Sequence, residues 1–128
     1  MDYYILNAYK QLLQVNDVET WARWFESASQ TGQRFIKQNR INGILISTIF
    51  LGIDHNFFGS GPPILWETMI FGLYRADPQW RFSDVESAKR WHAIQLHKVK
   101  LTVGKKRRRF CLSIPKTGPI IAKPLHYH

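Results

Sequence analysis

Two dense apolar runs joined by a turn-rich connector constrain this chain more than any other feature: Ile44–Ile53, with only Ser47, Thr48 and Gly52 inside it, and Ile64–Phe71, interrupted only by Glu67 and Thr68. β-Branched and aromatic runs of this length, bounded by glycine and proline, predict strands covered on both faces. They are too short to span a bilayer as helices. The connector, Asp54 to Pro63, holds Gly59, Gly61, Pro62 and Pro63 and is predicted to be a loop. Everything else in the 128 residues has to pack around this pair.

Upstream of the first run stands Ile41-Asn42-Gly43-Ile44. Asn-Gly between apolar residues is the strongest short hairpin signal, because a type I′ turn needs positive φ at both central positions. The expected hairpin pairs a strand over about 34–41 with one over about 44–53. Arg34, Lys37 and Arg40 mark the first strand as an edge. A third strand is expected over 64–71 and a short fourth around Trp80-Arg81-Phe82. Ser83 and Glu86 have capping-box spacing, which predicts a helix over about 84–99.

The N-terminal third predicts two helices. Ile5, Leu6, Tyr9, Leu12 and Leu13 fall on one helical stripe over 3–15. Val18, Trp21, Ala22, Phe25 and Ala28 form another over about 17–29, with Asn16 or Asp17 as the cap. The expected fold is α+β: a small antiparallel sheet of three to four strands packed against two N-terminal helices and one C-terminal helix. Residues 1–99 would be the compact domain. Residues 100–128 would be a basic C-terminal arm, with Leu101–Val103 and Phe110–Ile114 available as short strands.

Charge supports that division. Residues 1–97 carry nine basic and nine acidic side chains, whereas 98–128 carry nine basic and no acidic ones, so the whole net charge of +9 lies in residues 98–128. Lys98, Lys100, Lys105, Lys106, Arg107, Arg108 and Arg109 are the candidate anion-binding residues, suited to neutralising RNA or DNA phosphates. No base-reading module accompanies them, so binding through them is expected to depend weakly on sequence. The single cysteine, Cys111, excludes an intramolecular disulfide, and the start of the chain lacks a signal-peptide pattern; both point to the cytoplasm.

For chemistry, the best candidates are Asp54, His55 and Glu67, a histidine with two carboxylates near strand ends, as a general base would need. On an extended backbone Asp54 and His55 would face opposite ways. The competing expectation is a structural network, in which Asp54 and Asn56 bond loop amides and His55 is tied to Glu67. No P-loop, serine-hydrolase elbow, HNH spacing or cysteine-based zinc spacing is present. His92 and His97 stand on different helix faces, and His126 and His128 form only a weak constellation, so neither metal nor cofactor is expected.

Trp21-Ala22-Arg23-Trp24-Phe25, then Ser47 to Phe57 (STIFLGIDHNF), Gly61 to Gly72 (GPPILWETMIFG) and Arg81-Phe82-Ser83 resemble a recurring family of small phage and prophage proteins. In that family a strand reading STVFLGxDH leads through a Gly-Pro loop into one reading PxLxETMxF, followed by an aromatic-Ser helix cap. The resemblance covers about residues 18–97. Where family members often carry Gly-His in the last helix, this chain has Trp91-His92. The resemblance implies a phage or prophage origin and a cytoplasmic accessory role in the host cell, and brings no activity with it. The expectation is therefore a non-enzymatic accessory protein that binds a host protein or protein–nucleic acid complex, such as an anti-defence, anti-CRISPR-like inhibitor, with no membrane partner. A small hydrolase or nuclease using Asp54, His55 and Glu67, and a non-specific RNA- or DNA-binding protein, are the alternatives.

Overall fold

The computed structural model describes the backbone of residues 2–113 and the side chains of residues 2–105. Among these residues the order is β1 (Tyr3–Leu6), β2 (Leu12–Val15), α1 (Val18–Thr31), β3 (Phe35–Ile41), β4 (Ile44–Phe50), β5 (Trp66–Phe71), β6 (Gln79–Phe82) and α2 (Val85–Ser113). The fold is α+β, with all strands antiparallel. β1 and β2 form one sheet, and β3-β4-β5-β6 form the other in sequence order.

The central hairpin forms where Asn-Gly predicts it. Asn42 has φ 48° and Gly43 φ 80°, and Ile41 pairs with Ile44 across the turn. The two apolar runs become β4 and β5, the inner strands, which accounts for their lack of alternation. Ile44, Ile46 and Ile70 meet α2 on one face, while Leu45, Ser47, Glu67 and Phe71 are buried on the other.

Residues 3–15 are a β-hairpin and not the expected helix. Their apolar stripe is not buried as one face: Tyr9, Leu12 and Leu13 are exposed, while Leu6 turns inward together with Tyr4, with the period of a strand. Asn7 makes the turn, its side-chain carbonyl accepting from the amides of Tyr9 and Gln11, both at 2.9 Å, with Lys10 at φ 60°. The decisive contacts are remote in sequence. The Tyr4 amide donates to the Gly52 carbonyl at 2.9 Å, and Tyr3 bridges to Ile53.

Helix α1 starts where Asp17 predicts, its carboxylate accepting from the Glu19 and Thr20 amides, and ends at Gly32 with φ 82°. It packs on the β1–β2 hairpin, and the Trp24 ring meets Phe50 edge-on at 5.7 Å. Trp21 stacks between Tyr3 and Phe25 and donates its indole N–H to the Gly52 carbonyl at 3.0 Å. Gly52 is the backbone point at which hairpin, helix and β4 converge. Its φ is 81°, and a Cβ there would lie 3.2 Å from both Phe25 and Trp21. Gly52→Ala is expected to cost at least about 1 kcal/mol in the left-handed conformation alone. An unchanged urea midpoint would show that this junction yields freely.

Helix α2 crosses one face of the four-stranded sheet. Its cap is Asp84, one residue beyond the expected Ser83: the Asp84 carboxylate accepts from the Ser87 amide at 2.7 Å and hydroxyl at 2.9 Å. Glu86 pairs with Lys89 instead of closing a capping box. The helix also runs past 99. Ala88, His92, Gln95 and Val99 form its buried stripe, and Val103 continues the same spacing against the sheet. Leu101–Val103 and the described part of Phe110–Ile114 are therefore helical, not strands, because nothing before Pro115 prevents the helix from continuing. Gly104 is tolerated inside it at a cost of about 1 kcal/mol relative to alanine. The boundary expected at 99/100 falls inside this helix; most of the expected arm, residues 114–128, lies outside the described residues. No helix among the described residues is long and apolar enough to cross a membrane.

Candidate functional site

Asp54 and His55 follow β4 into the loop, and each already has a structural partner. One Asp54 carboxylate oxygen accepts from the Asn56 amide at 2.7 Å and from the Ile64 amide at 2.8 Å, which joins the two ends of the loop. His55 donates from Nδ1 to the Ile53 carbonyl at 2.7 Å, and its amide donates to the Ile64 carbonyl. Asn56 completes the lacing, its amide nitrogen donating to the carbonyls of Ser60 at 2.6 Å and Pro62 at 3.1 Å. The Asx-type expectation for Asp54 and Asn56 matches these bonds. The expected tie between His55 and Glu67 is not among the bonds of either residue.

Glu67 lies within β5, opposite Arg81 of β6, and is 7% exposed. Arg81 Nε donates to its carboxylate at 3.0 Å. A buried carboxylate requires such a partner, and the antiparallel register supplies it. No hydrogen bond or ion pair among the described residues joins Asp54, His55 and Glu67 into one constellation. Glu67 instead shares a solvent-open groove with Arg34, Gln38, Ser47 and Met69. Arg34 is half-buried there, its guanidinium 4.0 Å from the centre of the Phe25 ring and its Nε donating to the Phe50 carbonyl. Burial draws its pKa down, and the charge of Glu67 opposes that shift.

Two features were not legible as site elements in the sequence. Phe57 and Phe58, at the tip of the laced loop, are 71% and 94% exposed. The other feature is a buried polar chain between sheet and helix. The Thr68 hydroxyl donates to Thr48 Oγ1 (2.7 Å), Thr48 donates to His92 Nδ1 (2.8 Å), and His92 Nε2–H donates to Asn39 Oδ1 (2.8 Å). His92 is fully buried, and burial, with a smaller contribution from the Lys37 charge, pushes its pKa down to about 4.

The His92 shift has a stability consequence. With the folded pKa below the unfolded value of 6.5, the unfolded chain binds more protons between the two. Stability is complete above pH 6.5 and falls as the pH drops towards about 4. The expected loss is roughly 3 kcal/mol, at about 1.4 kcal/mol per pH unit. It would be read as a falling urea midpoint that flattens in His92→Gln. An equally steep fall in that variant would assign the acid sensitivity to other groups.

The cationic residues occupy the far end of α2. Lys98, Lys100 and Lys105 are exposed, and the backbone through Lys106, Arg107, Arg108 and Arg109 remains helical. Lys98 also sits over the Trp91 ring at 5.9 Å. Among the described residues no group of three or more His, Cys, Asp or Glu could hold a metal ion; His126 and His128 lie outside them.

Fold and site together define an α+β protein in which one long helix backs a four-stranded antiparallel sheet and carries a cationic C-terminal extension. No family model, curated protein or solved structure matches the chain.

Proposed function

We propose that this is a non-enzymatic accessory protein of phage origin that acts in the host cytoplasm by binding a protein–nucleic acid complex, as an anti-defence, anti-CRISPR-like inhibitor would. The observation that carries the reading is the continuation of α2 through the basic run. Seven cations between 98 and 109 stand on one helical segment spanning roughly 16 Å. A helix holds such charges at set spacings, which lowers the ordering cost of meeting a phosphate backbone. The bonding of Asp54, His55 and Glu67 also favours a binding role, since each is engaged in holding the loop or the sheet.

Capture of partners from host lysate, with and without nuclease, tests the proposal. A nucleic-acid-containing complex that is lost on nuclease treatment is the expected result. Recovery of no partner in either arm, together with turnover of a nucleic-acid or ester substrate that His55→Ala abolishes, would replace it with the hydrolase reading.

A further inference from the structure

The loops at the two ends of β5 both expose aromatic side chains, but only one of them adjoins the cations of α2. The loop before β5 carries Phe57 and Phe58. The loop after it, Gly72 to Pro78, carries Tyr74, 56% exposed, followed by Arg75, also exposed. This second loop is closed on itself. The Gly72 amide donates to the Asp77 carboxylate and the Ile70 amide to the Pro78 carbonyl, both at 3.2 Å, so the loop's one acid is engaged by its own backbone.

Both ends of the loop lead to α2. Leu73 packs against the cluster that Val99 forms with Ile44, Ile46 and Ile70, and Val103 joins the same cluster. Just past the other end, the Trp80 ring meets Trp91 edge-on at 5.3 Å. Lys98 stands about two helical turns beyond Trp91 on the same flank of α2, its ammonium 5.9 Å from the Trp91 ring centre. Lys105 continues that flank at the same spacing, and both lysines are exposed. The flank that carries them is therefore the one that the Gly72 to Pro78 loop adjoins.

We infer that Tyr74, Arg75, Lys98 and Lys105 belong to one binding face for single-stranded nucleic acid, on which Tyr74 stacks against an unpaired base while the three cations meet neighbouring phosphates. The inference rests on the nucleic-acid role proposed above for the α2 cations and adds the strand class. Phosphates are common to single strands and duplexes, so cations alone do not choose between them. A duplex keeps its base faces stacked on one another, whereas a single strand can offer each face to an aromatic ring, and such stacking accepts any base. Because the loop is closed, Tyr74 is held ready for that contact, which lowers the ordering cost of binding.

Fluorescence anisotropy of the full chain tests this with a short mixed-sequence single-stranded DNA and with the duplex it forms with its complement. The single strand is expected to bind more tightly. Tyr74→Ala should weaken single-strand binding roughly 10-fold, within the range for loss of one base stack. Its salt slope and its duplex affinity should not move, and Tyr74→Phe should bind as the wild type does. Arg75→Gln should instead reduce the single-strand salt slope by about 0.7. Phe58→Ala, at the other end of β5 and 94% exposed in the wild type, should leave every reading unchanged. Equal or tighter binding of the duplex, or single-strand affinity indifferent to Tyr74→Ala, with the salt dependence intact, would overturn the inference and leave the proposed function standing. A loss in Phe58→Ala equal to that in Tyr74→Ala would also overturn it, since stacking would then not be tied to the cationic flank. Absence of binding to either oligonucleotide at low salt would overturn both.

Discussion

Replacing Lys105, Lys106, Arg107, Arg108 and Arg109 with glutamate is expected to abolish salt-sensitive binding to RNA or DNA while leaving the folded domain in place. If the five cations each neutralise one phosphate, the wild-type log–log salt slope contains about 4 to 5 units from them, and affinity falls roughly 10²- to 10³-fold between about 50 and 200 mM salt. The reversed protein should show neither the affinity nor the slope. Its melting midpoint should move little, because exposed charges contribute only tenths of a kcal/mol each. Glutamine at the same five positions separates phosphate contact from the unfavourable placement of carboxylates near a helix C-terminus. Fluorescence anisotropy on a defined oligonucleotide reads both variants. A reversed protein that keeps the wild-type slope would show that these residues do not bind phosphate, and would direct the search to an acidic protein surface.

Phe50→Ala is expected to be the most damaging single core truncation. Phe50 is fully buried and lies between Trp24 of α1 and Trp66 of β5, at ring separations of 5.7 and 5.8 Å. It shares one cluster with Tyr4 and Leu6 of the hairpin and with Ala88 of α2. One side chain thus joins four parts of the chain, and the cavity left behind cannot collapse without moving all of them. The expected loss is about 3–5 kcal/mol, a large fraction of the roughly 5–15 kcal/mol that holds a domain together. Urea unfolding followed by tryptophan fluorescence measures it. A loss of about 1 kcal/mol, the ordinary cost of a substitution, would mean that hairpin, helix and sheet are not coupled through this residue.

What local chemistry dictates was legible in the sequence. Asn42-Gly43 specified a turn because few other pairs tolerate positive φ twice in succession. Asp17 specified the start of α1 because its carboxylate reaches amides two and three residues ahead. The apolar runs of β4 and β5 announced inner strands, and glycine and proline forced the loop between them. Residues 3–15 were ambiguous for a physical reason. Apolar residues at offsets 0, 1, 4, 7 and 8 fit a helix, and the tie to Gly52 and Ile53 that makes them strands lies some fifty residues away. Ser83 was the expected cap, and only the final path of the chain aligned the Asp84 carboxylate with the Ser87 amide. Tertiary structure likewise decided the partners of the ionisable groups. Strand register placed Arg81, not His55, against Glu67, and the packing of α2 on the sheet made His92 a buried neutral link between Thr48 and Asn39. Turns and caps are set by neighbours in the chain, whereas burial and ion pairing are set by which surfaces meet.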